Sequence, residues 1–204
     1  MGLSHEIAKD LLDIKAIQIR TENYFTWTSG LKSPIYCDNR LTMSYPSVRK
    51  KIVQGYKHLI EQMEVKPDLI AGCATAGIPH AAWLADELDL PMVYVRSKPK
   101  GHGNGNQIEG HIKQGQKAVV IEDLISTGGS SIEAAQALLN AGAEVLSILA
   151  IFTYGLDKSI QKFSEAALTF ATITNYDEVL ALLVGEGTIN EAEKEKLQVW
   201  KQEL

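Results

Sequence analysis

The 204-residue chain suits one substantial domain with room for a small appended element. Hydrophobic residues at 45% and charged residues at 22% are ordinary for a globular protein, and the net charge of −5 argues against a broad nucleic-acid-binding face. No apolar run reaches the roughly 18 residues of a membrane span, so no membrane partner is expected. The N-terminal stretch lacks the basic and apolar regions of a secretory signal, and Glu6 stands where N-myristoylation requires Ser or Thr. Two cysteines, Cys37 and Cys73, are sparse enough that a reducing cytoplasm is the expected location.

In chain order, Ile7, Leu11, Leu12 and Ile14 have helical spacing and predict a helix over 5–17, with Ser4 as its N-cap. FTWTSGLKSPIYCDNR (25–40) mixes aromatic, Thr and turn residues and predicts a hairpin or extended segment. From Pro46 to about Met63, Val48, Ile52, Val53, Tyr56, Leu59, Ile60 and Met63 share one helical face. After Pro67 the pattern changes. DLIAGC (68–73), PMVYVR (91–96), KAVVIE (117–122) and EVLSILAIF (144–152) are strand-length apolar runs. Between them, 78–88 and 130–142 read as helices, the second with a glycine at its C-terminal cap. This alternation predicts βαβ units: an α/β fold with a mainly parallel central sheet flanked by helices. Asn190 is placed to cap a last amphipathic helix. The expected organisation is a single domain over 1–204, with an N-terminal element at about 1–45, an α/β core at about 65–175 and C-terminal helices over 176–204.

VVIEDLISTGGSS (119–131) joins two chemistries. Ligands of open parallel sheets sit beyond the carboxyl ends of the strands, where Glu122 and Asp123 close the run KAVVIE. Backbone N–H groups of Ser126, Thr127, Gly128, Gly129 and Ser130 can ring a phosphate at a helix N-terminus. Taken alone, STGGSS is equally a βα turn that uses Gly and Ser for conformation. It is neither a Walker A loop nor a GxGxxG fingerprint. With the acids beside it, one ligand satisfies both halves: carboxylates accept from a ribose diol while the loop holds a 5′-phosphate.

That stretch resembles the phosphoribosyl-pyrophosphate (PRPP) motif of type I phosphoribosyltransferases. The resemblance implies their fold, with a small N-terminal hood, and a PRPP site over Glu122, Asp123, Leu124, Ile125, Ser126, Thr127, Gly128, Gly129 and Ser130. GCATAGIPHA (72–81) is similar to the family's pyrophosphate loop, which brings in Thr75 and Ala76. RSKPKGHGNGNQIEG (96–110) concentrates Arg96, Lys98, Lys100 and His102 before two glycines. It reads either as a solvated loop or as a lid, and cations on a lid would stabilise a charged leaving group. It is similar to the catalytic loop of the orotate members, which reaches into a neighbouring subunit's site and so implies a homodimer. FTWTSGLKSPIYCDNR resembles the orotate-type N-terminal signature, and by that match Tyr36, Cys37 and Ser126 border orotate.

The resemblance covers about 20–155 and implies a transferase of the glycosyltransferase class in UMP (pyrimidine) biosynthesis. It moves the phosphoribosyl group from PRPP to N1 of orotate, giving orotidine 5′-monophosphate and pyrophosphate. Mg2+ is expected on the pyrophosphate and ribose hydroxyls, with no dedicated protein metal site. Lys100, His102 and Asp123 are the expected catalytic residues, and Arg96 joins the PRPP contacts. Two rival readings are another purine or pyrimidine phosphoribosyltransferase and a PRPP-sensing nucleic-acid-binding regulator. The sequence departs from many relatives at Thr28 and Ser97, where they have Lys, and at Tyr154, where some have a base-binding Arg. His80 and His111 are expected to be structural or superficial.

Overall fold

The computed structural model describes residues 2–26, 30, 32–98 and 107–203. Helix α1 (Leu3–Asp13) leads to strand β1 (Ile17–Ile19), the hairpin β2 (Phe25–Thr26) and β3 (Lys32–Ser33), then β4 (Ile35–Cys37) and a 3-10 turn at Asn39–Ser44. There follow α2 (Pro46–Glu61), β5 (Leu69–Cys73), α3 (Gly77–Leu88), β6 (Met92–Val95), β7 (Ile108–Glu109) and β8 (Lys117–Ile125). The chain ends with α4 (Gly129–Asn140), β9 (Glu144–Thr153), α5 (Asp157–Glu165), β10 (Phe170–Asn175), α6 (Tyr176–Gly185) and α7 (Glu191–Gln202).

The central sheet runs β10-β9-β8-β5-β6-β7, with only β7 antiparallel to its neighbour. Strand side chains alternate between its faces. Val119 and Ile121 of β8 join the core built with α1, α2, α3 and α6, while Ala118 and Val120 join the core under α4 and α5. Burial on both faces explains why these strands read as continuous apolar runs. The hairpin β2–β3 and the pair β1–β4 form the N-terminal hood.

Three expectations are corrected. The first helix stops at Asp13, because Lys15 turns left-handed (φ 60°) and the β-branched Ile17 and Ile19 pair with β4 instead. Ser4 lies inside that helix, whose N-cap position is Gly2 without a side-chain cap. Strand β8 does not end at Glu122 but continues to Ile125, because β9 keeps pairing with it as far as Thr153. Helix α5 and strand β10 gave no sequence signal. DKSIQKFSE buries only Ser159 and Phe163, and FATITN is a half-polar edge strand. Asn190 does cap α7, in a reciprocal pair with Glu193.

Candidate active site

Strand length creates the site. The β5–β8 ladder ends at Gly72 opposite Ile121, yet β8 runs on through four more residues paired only with β9. Strand β5 is followed by β6 on one side and β8 by β9 on the other, so a crevice opens where the connections diverge. It is a cleft of about 700 Å3 lined by Cys37, Asp38, Arg40 and Met43 from the hood, Ala74–Ala76 and Pro79 around the start of α3, and Glu122–Leu124 and Ser130.

The two acids are held from behind. Tyr56, buried in α2, donates its hydroxyl to the Glu122 carbonyl at 2.6 Å, and the Asn39 side-chain amide donates to the Asp123 carbonyl at 2.7 Å. The Asp123 N–H donates to Glu122 Oε1 at 3.1 Å, and Ser130 Oγ donates to Oε2 at 3.3 Å. Glu122 is nearly buried, at 5% exposure. Burial, then the negative charge of Asp123, push its carboxyl up to about 8. Burial also raises Asp123, and the neighbouring Arg40 charge opposes that rise. Negative charge on the pair is therefore costly in the empty cleft, and hydrogen-bond donors or a cation supplied by a ligand would favour it.

A folded-state value above the unfolded one means that Glu122 favours folding fully below about pH 4.5, and loses that contribution as the pH rises to about 8. Glu122→Gln should therefore match the wild type at about pH 4 in urea unfolding, and exceed it by about 2 kcal/mol or more at pH 8.5. His80 is pushed by burial in the opposite direction, down to about 4, and costs both proteins stability as the pH falls below about 6.5. It therefore cancels from the comparison. Equal stabilities at both pH values would refute the assignment of a strained acid.

The turn after β8 is short. Ser126–Gly128 turn out of β8, and α4 begins at Gly129. Gly128 adopts φ 78°, and a Cβ there would collide with the Phe163 ring. The first-turn N–H groups of α4, like those of any helix start, have no acceptor within the helix, and such groups are suited to an anion.

Of the expected residues, Cys37, Thr75, Ala76, Glu122, Asp123, Leu124 and Ser130 line one cleft. Ser126, Thr127, Gly128 and Gly129 form the adjoining turn, and the Ile125 side chain is buried in the core beneath α4, leaving only its backbone toward the loop. Tyr36 is exposed and packs on Phe25 at 5.7 Å. Arg96 directly follows β6, 3.5 Å from Glu109 of β7, at the stem of the 96–110 segment. Lys100, His102 and Thr28 lie outside the described residues. His80 is buried behind the cleft and His111 is exposed.

Sequence reasoning missed Asp38, Arg40, Met43 and Pro79 as lining residues, and Asn39 and Tyr56 as supports of the acids. The signal for Asp38 and Arg40 lay in SPIYCDNR, which ends on that charged pair. Tyr56 had none, since a tyrosine on a helix's apolar face looks like core.

A sequence profile described as the phosphoribosyl transferase domain matches residues 45–180. The orotate phosphoribosyltransferase of Oceanobacillus iheyensis is 60% identical over 202 residues, 99% of this chain and 100% of that protein. Among solved structures, the orotate phosphoribosyltransferase of Aeropyrum pernix aligns with a TM-score of 0.76 at 26% identity, covering 90% of this chain and 99% of that one. The Leishmania donovani UMP synthase aligns at 0.80 and 29% identity over 98% of this chain, which spans 42% of that longer protein. Near-complete identity coverage, a shared fold and a cleft at the switch point agree, and the chain belongs to the orotate phosphoribosyltransferase family.

Proposed function

We propose that the protein transfers the 5-phosphoribosyl group of PRPP to N1 of orotate, releasing pyrophosphate and orotidine 5′-monophosphate in pyrimidine biosynthesis. The observation that carries the reading is the pair of buried Glu122 and half-buried Asp123, in one cleft with the start of α3 and beside the amide loop that opens α4. A ribose phosphate with a pyrophosphate at C1′ fills all three.

The 126–130 turn and the first turn of α4 hold the 5′-phosphate through N–H groups and hydroxyls. Asp123 and Glu122 accept from the ribose hydroxyls and favour positive charge as the C1′–oxygen bond breaks. Thr75 and Ala76, just before α3, offer backbone N–H groups to the pyrophosphate. Lys100 and His102, donated by a neighbouring subunit, neutralise charge on the departing pyrophosphate. Tyr36 and Cys37 border the base, with Ser126 at the loop's start. Mg2+ suits the donor set, because hard oxygen ligands are what Glu122 and Asp123 present. Bound mainly through the substrate, it would neutralise pyrophosphate charge.

A homodimer with shared sites is supported by the apolar Leu41, Met43 and Tyr45, which stand exposed on the hood beside the cleft. Among the described residues no helix is long and apolar enough to cross a membrane. Both cysteines are free, which supports a reducing cytoplasm. The test is spectrophotometric: with PRPP and Mg2+, orotate absorbance should fall while adenine, hypoxanthine and uracil are left unchanged. Consumption of another base with orotate untouched would overturn the reading.

A further inference from the structure

Among the described residues, every charged side chain lining the cleft is acidic except one. Asp38, Glu122 and Asp123 are carboxylates, and Arg40 is the single cation among its described lining residues. Arg40 is not loose. Asp38 accepts from its Nε at 2.6 Å and from its Nη2 at 2.8 Å, a side-on fork that also holds the Asp38 carboxyl below its ordinary range. Asp38 thus uses the side of the guanidinium and leaves the end-on edge, formed by Nη1 and the second Nη2 hydrogen. Among the described residues nothing accepts from Nη1. The Arg40 side chain is 63% exposed, so that edge is reachable from solvent.

Resting on the orotate reading, we propose that Arg40 is the specificity-determining residue that receives the carboxylate of the base, pre-oriented by Asp38. The other anions of the reaction have partners elsewhere. The 5′-phosphate has the N-terminus of α4, and the pyrophosphate has the 74–77 turn and the cation it carries. Among the described residues lining the cleft, Arg40 is the counterion a base carboxylate can meet, the other charged groups there being carboxyls. A planar carboxylate matches the end-on guanidinium fork through two parallel hydrogen bonds. Asp38 serves as a positioning residue that restricts the long side chain before substrate arrives.

The experiment compares wild type, Arg40→Gln, Arg40→Lys and Asp38→Asn in steady-state assays that vary orotate and PRPP separately, with thermal unfolding to verify folding. Arg40→Gln should raise KM for orotate by about 30-fold, as loss of a charge-assisted pair requires, and change KM for PRPP less than about threefold. Arg40→Lys should recover only part of the loss, because a point charge cannot form the fork. Asp38→Asn should raise KM for orotate by a smaller factor, about threefold to fivefold. Competition by the methyl ester of orotate, which lacks the anion, should be the same for wild type and Arg40→Gln. A rise in PRPP KM with orotate KM unchanged assigns Arg40 to the donor and overturns the proposal, as does no change in either. If Arg40→Gln unfolds, the Arg40→Lys and Asp38→Asn values decide it on the same criteria. Failure of the wild type to consume orotate would instead sink the parent reading, and this proposal with it.

Discussion

Gly77→Ala should cripple both stability and PRPP use. Gly77 opens α3, and a Cβ there would press into the Ile121 carbonyl oxygen, with the Ile121 carbonyl carbon at 3.1 Å and Glu122 Cα at 3.2 Å. These are backbone atoms in the middle of the sheet and cannot swing aside. Either α3 lifts away from β8 or β8 bends at the acids. Forcing a methyl into such a contact costs about 1–3 kcal/mol, read as a fall in the urea midpoint without a change in slope. The displacement falls where Glu122 meets the 74–77 turn. A misplacement of about 1 Å in a positioned site costs about 100-fold, so kcat/KM for PRPP should drop by about that factor. Gly185→Ala, in α6 with open space around it, is the control and should be neutral or slightly stabilising. Full activity in Gly77→Ala would show that the close approach does not set the site.

Lys100→Ala and Asp123→Asn should each inactivate the protein in a different way, and together restore it. On the role proposed for Lys100, Lys100→Ala should lower kcat about 100-fold or more with KM for PRPP little changed. Asp123→Asn keeps the shape but weakens acceptance from the ribose hydroxyls, so KM for PRPP should rise. If the 96–110 segment serves the partner's cleft, a mixed dimer holds one doubly damaged site and one intact site. Random mixing of equal amounts should then recover about a quarter of wild-type activity. No recovery after mixing and dissociation–reassociation would rule out shared sites. Asp123 is the sounder half of the pair structurally, since its backbone is tied to Asn39 and its side chain lines the cleft.

Much of the architecture was legible because its signals are local. DLIAGC, KAVVIE and EVLSILAIF are buried on both faces, so they read as unbroken apolar runs, and the helices between them announced a parallel sheet. Gly128, Ser126 and Thr127 were legible for the same reason: a positive φ and a helix N-terminus are demands of the backbone on its own residues. Elements held mainly by neighbours were invisible. Strand β10 exists because β9 offers it a ladder, and α5 is anchored chiefly by Phe163 stacked at 4.5 Å on Phe170.

The sequence by itself determined the alternation of the α/β core, the acid pair followed by an anion loop, and the donor chemistry these imply. Tertiary structure alone decided how far β8 outruns β5, and so where the cleft opens. It alone brought Asp38 and Arg40 from the hood across the chain to face Glu122 and Asp123, and put Tyr56 behind them. The physical reason is separation: Arg40 and Asp123 lie more than 80 residues apart, and no local pattern encodes a contact that only the closed sheet and its packed helices create.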